Sequence, residues 1–266
     1  MKIECKNIAY LWKSKLMGEK GNLAIIQVGD NPSSNSYIKG KIKDCEEIGF
    51  ICNLYKYPEN TSEIEILRLI TKLNYDDDVD GIIVQLPLPK NLDAKKITNE
   101  VIRCKDVDGF RDDSPYIPCT PRAVIKLIDE LNVEVEGKDV VVLGRSEFIG
   151  KKIAELLLDK NATVTICHSK TPKENLKRHL KNADIIVSAV GKAELFSWKD
   201  VKQGSLIIDV GINKIDNHLC GDFVPPEDND YCDYTPVPGG IGLLTRAMLL
   251  ENTADAKKNT IKWTKE

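Results

Sequence analysis

Short apolar runs rich in isoleucine and valine recur along the chain, at residues 23–28, 81–86, 140–143, 162–166, 184–187 and 205–208. Near-continuous runs of this length suit strands covered on both faces, as in a parallel sheet. Between them the apolar positions shift to a helical period. Ser62-Glu63-Ile64-Glu65 frames a capping box ahead of Ile66, Leu67, Leu69 and Ile70. Phe148, Ile149, Ile153, Leu156 and Leu157 fall on one helical face. This alternation predicts an α/β fold.

Two punctuated stretches interrupt the pattern. Asp112-Asp113-Ser114-Pro115-Tyr116-Ile117-Pro118-Cys119-Thr120-Pro121 breaks both helix and ladder, so it is a domain connection. A helix over about 121–132 and a strand–turn–helix unit follow it. Thr235-Pro236-Val237-Pro238-Gly239-Gly240 then precedes a final amphipathic helix. The expected organisation is two α/β lobes, a first over 1–119 and a second over 120–244, with a cleft between them.

Composition narrows the function classes. The 266 residues carry 38 Lys+Arg against 41 Asp+Glu, a net charge of −3, so no strong positive field favours nucleic acid. At 42% hydrophobic and 30% charged the chain can fill a core, which excludes disorder. No stretch approaches the roughly 20 apolar residues that span a bilayer, and the polar start lacks the apolar core of a secretory signal. The eight cysteines never come as close as C-x-x-C, and with three scattered histidines they offer no metal-ligand spacing. The expectation is a soluble cytoplasmic protein with buried thiols, no metal, and no nucleic-acid or membrane partner.

The clearest chemical signal follows the run ending at Leu143. Gly144-Arg145-Ser146-Glu147-Phe148-Ile149-Gly150 is a variant dinucleotide-binding turn placed between a strand and a helix. Gly144 permits the bend, Ser146 is small enough for close backbone approach, and Gly150 lets the helix pack on the strand. The helix start then offers N–H groups and a positive dipole end to a pyrophosphate. The next run ends Cys167-His168-Ser169-Lys170, without the carboxylate that receives a ribose 2′-hydroxyl in NAD-selective sites. Arg145, Ser169 and Lys170 can instead donate to a 2′-phosphate, so the expected cofactor is NADP.

Three features of the first lobe are candidates for chemistry. Tyr37 and Lys41 are four residues apart on one predicted helical face, a spacing that ordinary surface side chains also satisfy. Gln85 interrupts an apolar run ending at Leu86-Pro87-Leu88-Pro89; its amide either orients a ligand or the Lys41 ammonium, or satisfies loop backbone. Lys105-Asp106-Val107-Asp108-Gly109-Phe110 places two carboxylates in a turn, where Asp either ties the loop or grips a donor-rich heterocycle.

Taken in order, these segments resemble the bifunctional methylenetetrahydrofolate dehydrogenase/methenyltetrahydrofolate cyclohydrolase family. The resemblance also takes in Val28-Gly29-Asp30-Asn31-Pro32-Ser33-Ser34, Pro118-Cys119-Thr120-Pro121, Asp209-Val210-Gly211-Ile212-Asn213 and the Pro238-Gly239-Gly240 loop, and runs from about residue 20 to 254. It implies a Rossmann-type second lobe, a homodimer, and a last helix (245–266) that completes the first lobe. It also implies that Lys41 is the catalytic lysine, with Tyr37 against the folate, Gln85 as its hydrogen-bond partner and Asp108 on the pterin. Leu86, Pro238, Gly239 and Gly240 border the substrate in that reading, while Gly144, Arg145, Ser146, Ser169 and Ile212 bind NADP. The implied reactions are oxidation of 5,10-methylenetetrahydrofolate and hydrolysis of the methenyl product, in one-carbon metabolism and purine biosynthesis. Retention of one activity alone, or NADP and folate binding without catalysis, are the alternatives. The chain departs from the family pattern at Ala123, Lys152, Leu243, Leu244 and Arg246.

Overall fold

The computed structural model describes residues 1–216, 218–227 and 230–263. The chain divides into two compact units. The first comprises residues 10–119 and 246–266, and the second residues 1–9 and 120–245. The boundary expected from the sequence left residues 1–9 in the first lobe, and the structure corrects this. The Met1 ammonium donates to the Cys232 carbonyl at 2.6 Å, and the Ile3 N–H donates to Tyr234 O at 2.8 Å, which ties these residues to the second unit.

α1 (Cys5–Ser14) runs from the second unit into the first, where it leads to β1 (Asn22–Val28), α2 (Pro32–Ile48), β2 (Ile51–Tyr57), α3 (Glu63–Asn74), β3 (Gly81–Val84) and α4 (Ala94–Glu100). The strands form a parallel sheet in the order β2-β1-β3. β1 and β3 are the fully covered runs of the sequence. β2 was not expected, because as an edge strand it keeps Ile51 and Leu54 exposed and has no continuous apolar run. One sheet face packs Ala24, Ile26, Val28, Ile82 and Val84 against Ile66, Ile70, Leu73 and Ile97.

α2 is fixed at both ends. Asn31 caps it by accepting the Ser33 and Ser34 N–H groups at 2.9 and 3.1 Å, and Pro32 occupies the first turn, where its missing donor costs nothing. It stops at Gly49, whose φ of 83° is the left-handed conformation that closes helices.

In the second unit come α5 (Cys119–Glu130), β4 (Asp139–Leu143), α6 (Lys152–Leu158), β5 (Thr163–Cys167), α7 (Lys173–Asn182), β6 (Ile185–Ser188) and β7 (Phe196–Ser197). They are followed by β8 (Leu206–Asp209), β9 (Asn213–Ile215), β10 (His218–Cys220), β11 (Phe223–Val224), β12 (Asp233–Tyr234) and α8 (Ile241–Trp263). Five strands make a parallel sheet in the order β12-β8-β6-β4-β5. The first strand, β4, thus lies between the second and third, as in a doubly wound nucleotide-binding sheet with its switch point at the end of β4.

α8 continues from the second unit into the first, where its side chains are tied down. Arg246 Nε lies 2.7 Å from Asp44, Asn252 Nδ2 donates to Val107 O at 2.8 Å, and Lys257 Nζ sits 3.1 Å from Asp80. No helix among the described residues is long and apolar enough to cross a membrane.

Candidate active site

The Asn31 cap sends α2 forward from the carboxyl end of β1, so Tyr37 and Lys41 stand one turn apart on it. Lys41 is buried at 5% exposure. Its ammonium donates to Gln85 Oε1 at 3.1 Å and lies 5.0 Å from the centre of the Tyr37 ring. Gln85 follows β3, and its own N–H prolongs the ladder to Ile26 O at 2.9 Å. Its side chain satisfies both readings left open by the sequence. Nε2 donates to Leu86 O at 2.8 Å, while Oε1 holds the lysine.

The two aspartates of the 105–110 turn separate by environment. Asp106, 3% exposed, accepts the Phe110 and Arg111 N–H groups at 3.2 and 2.9 Å and so ties the loop. Burial pushes its carboxyl up to about 6 despite those donors. Asp108 is the one that lies within electrostatic reach of Lys41. Burial raises it above the usual carboxylate range, and the Lys41 charge and a Cys119 thiol donor act against that rise. Tyr37, Lys41, Gln85 and Asp108 therefore come together in the first unit, with Leu86 beside them.

The residues singled out in the second unit all follow carboxyl ends of parallel strands: Gly144, Arg145 and Ser146 after β4, Ser169 after β5, Ile212 after β8, and Pro238–Gly240 after β12. Gly144 has a φ of 109°, and a Cβ there would fall 2.5 Å from Ala189 O. A Cβ on Gly150 would fall 2.4 Å from Gly144 O, so this glycine packs on backbone and admits no side chain. That packing changes the helix start. A continuous α-helical period was expected from Phe148, but Glu147–Lys151 form a wider π turn. Lys151 N–H reaches back to Ser146 O at 3.0 Å, and Ser146 Oγ accepts Gly150 N–H at 3.3 Å. The result is a backbone cradle with Arg145, Ser146 and Ser169 exposed around it.

Two further aspartates, which the sequence reading missed as site residues, organise this edge. Asp222 is fully buried. It accepts Ser188 Oγ at 2.8 Å, the N–H groups of Val190, Gly191 and Lys192 at 2.9, 3.2 and 2.8 Å, and Asn213 Nδ2 at 3.0 Å. Asp209 accepts the Gly211 and Phe223 N–H groups, both at 2.9 Å. Desolvation, with the neighbouring Asp222 charge adding to it, pushes Asp209 up to about 7. Glycines make the room: a Cβ on Gly211 would meet Asp222 Oδ1 at 2.2 Å, and one on Gly221 would meet Asp209 Oδ2 at 2.0 Å. The available signal was acidic residues set against glycines after apolar strands.

Fold and geometry thus define a two-unit α/β protein with a buried lysine centre in one unit and a dinucleotide cradle in the other. Residues 2–108 match the model for the tetrahydrofolate dehydrogenase/cyclohydrolase catalytic domain, and residues 118–261 match that for the NAD(P)-binding domain of the same family. The chain belongs to the tetrahydrofolate dehydrogenase/cyclohydrolase family. It is 43% identical to the Bifunctional protein FolD of Bacillus anthracis over 257 residues, covering 92% of this chain and 89% of that one. The bifunctional FolD structure from Campylobacter jejuni aligns with a TM-score of 0.90 at 38% identity, covering 98% of this chain and 99% of that one. The Trypanosoma brucei dehydrogenase-cyclohydrolase, solved with NADP and an inhibitor, aligns with a TM-score of 0.92 at 30% identity, covering 98% of each chain.

Proposed function

We propose that this chain oxidises 5,10-methylenetetrahydrofolate to the methenyl compound with NADP and then hydrolyses that product to 10-formyltetrahydrofolate. One observation carries the reading: the Lys41 ammonium, buried and held 3.1 Å from Gln85 Oε1 against the Tyr37 ring. A buried lysine fixed by a neutral acceptor suits proton transfer, since it is oriented without being locked into an ion pair.

NADP, when bound, accepts the hydride of the first step. The Gly144–Gly150 turn suits a pyrophosphate because its two glycines pack closely on backbone and it opens a helix after the carboxyl end of β4. Arg145 and Ser169 are exposed donors for the 2′-phosphate, and β5 ends with no acidic residue to repel it. Ile212, 54% exposed, offers an apolar surface to the nicotinamide end.

The second step adds water to the methenyl carbon and releases one ring nitrogen. Lys41 moves the proton between them, with Gln85 and Tyr37 holding its direction. Asp108 accepts hydrogen bonds from the pterin, and Leu86 borders the substrate. A cytoplasmic homodimer serving purine biosynthesis belongs to the same proposal; light scattering of the purified protein tests the dimer.

The deciding assay mixes the protein with methylenetetrahydrofolate and either NADP or NAD, following methenyl absorbance in the near ultraviolet. The expected result is methenyl formation with NADP in preference to NAD, followed by decay. Lys41→Met should reduce methenyl hydrolysis by on the order of 1,000-fold while leaving folate binding largely intact. Unimpaired hydrolysis by that variant would remove Lys41 from the mechanism.

A further inference from the structure

α8 carries a fully buried asparagine, Asn252, in its middle. Asparagine is a poor helix former, and its amide costs energy in a dry interior unless it is hydrogen-bonded. Here the amide serves a turn 145 residues away in sequence. Asn252 Nδ2 donates to Val107 O at 2.8 Å and to Cys119 Sγ at 3.5 Å. The Cys119 thiol reaches the same carbonyl at 3.3 Å. Asn252, Val107 and Cys119 are all buried and all belong to the first unit. The Val107 side chain lies on the first residue of β3, where a Cβ on Gly81 would fall 2.7 Å from Val107 Cγ2. The rest of the turn is tied as firmly. Lys105 Nζ donates to Leu73 O and Asp76 O at 3.0 and 2.7 Å, and Asp106 accepts the Phe110 and Arg111 N–H groups.

We propose that Asn252 is a positioning residue for the folate, acting through the Val107 carbonyl to aim the Asp108 carboxylate at the pterin. A carbonyl and the N–H that follows it lie in one rigid peptide plane. Holding Val107 O therefore fixes the direction in which Asp108 leaves the turn. The thiol adds a second effect. It has one hydrogen to give, and it is also the donor that opposes the rise of the Asp108 carboxyl. With the Val107 carbonyl taken by the closer amide, that hydrogen is left for the carboxylate. The role of Asn252 rests on the proposed reading of Asp108 as the pterin's acceptor.

Calorimetry of tetrahydrofolate binding to the unaltered protein, Asn252→Ala, Asp108→Ala and the double variant tests this, with thermal melts to verify each fold. Asp108→Ala should weaken binding by about 100-fold and Asn252→Ala by about tenfold. In the Asp108→Ala background, Asn252→Ala should cost less than about twofold, because no carboxylate remains to be aimed. An asparagine that only supports the fold would cost the same in both backgrounds, and that result would overturn the proposal. Asn252→Leu keeps the branched shape without the donors. It should match Asn252→Ala, and it carries the measurement if the alanine variant unfolds. Methenyl hydrolysis by Asn252→Leu should show KM raised about tenfold with kcat within about twofold. Normal affinity in the Asn252 variants beside a weakened Asp108→Ala would overturn the role of Asn252 alone. Normal affinity in Asp108→Ala would overturn the pterin reading of Asp108, and the role of Asn252 with it.

Discussion

Asp44 in the first unit and the Asp209–Asp222 pair in the second are held by different means. In the first, Asp44 is 4% exposed and meets side chains: Lys13 Nζ at 2.6 Å and Arg246 Nε at 2.7 Å. In the second, Asp209 and Asp222 are held chiefly by backbone N–H groups. Side-chain partners place other side chains, which a lysine centre requires. Backbone partners shape a chain path, which suits a site that greets its ligand with main-chain donors. A change in the first unit should therefore be partly absorbed by rotamers, and a change in the second should be met rigidly.

The glycines offer the sharpest contrast. Gly150→Ala puts a Cβ 2.4 Å from Gly144 O and 3.0 Å from Arg145 N, atoms that move only if the whole turn moves. We expect a loss of about 3 kcal/mol in the stability of the second unit, together with loss of measurable NADP affinity. Thermal unfolding and a cofactor titration read the two effects. A variant that binds NADP normally would show that the cradle yields, and the contrast between the units would fail.

What was legible in the sequence follows the same division. β1, β3, β4, β6 and β8 are covered on both faces, so their composition alone marks them as strands. β7, β9, β10, β11 and β12 are only two or three residues long and carry no period to detect. In the first unit, spacing placed Tyr37 and Lys41 on one face, but only the fold brings in Gln85 and Asp108. The choice between Asp106 and Asp108 depended on which carboxylate the Phe110 and Arg111 N–H groups reach. Asp222 was missed because its partners are mostly backbone groups of a distant segment, and backbone groups leave no residue type to recognise.

A pH series compares the units through their raised carboxyls. Asp106 lies at about 6 and Asp209 at about 7, against an ordinary 3.8. Below 3.8 both are protonated whether the chain is folded or not. As pH rises, the unfolded chain ionises first, so stability falls until each folded group ionises in turn. Asp106 stops contributing near pH 6, and Asp209 continues to near pH 7. Between pH 6 and 7 the second unit should lose roughly 1 kcal/mol of protection, read by hydrogen exchange of β6 and β8. Asp209→Asn should flatten that slope. A slope that Asp209→Asn leaves unchanged would contradict the assignment.

The smallest effect expected is also the most discriminating. A Cβ on Gly40 would fall 1.7 Å from the Arg246 Nη1 atom, the far end of a long side chain. Gly40→Ala therefore displaces the guanidinium from Asp44, which costs energy because a buried carboxylate loses a partner. Two things offset that cost. Lys13 stays on Asp44 at 2.6 Å, and alanine stabilises a helix interior by about 1 kcal/mol relative to glycine. The net expectation is destabilisation of under about 1 kcal/mol. In an Arg246→Ala background nothing remains to displace, so Gly40→Ala should stabilise by about 1 kcal/mol. Urea unfolding of the four proteins measures the coupling. A change of the same sign in both backgrounds would mean that displacement of Arg246 does not set the outcome, and the contrast between the yielding side chain above Gly40 and the backbone cradle would fail.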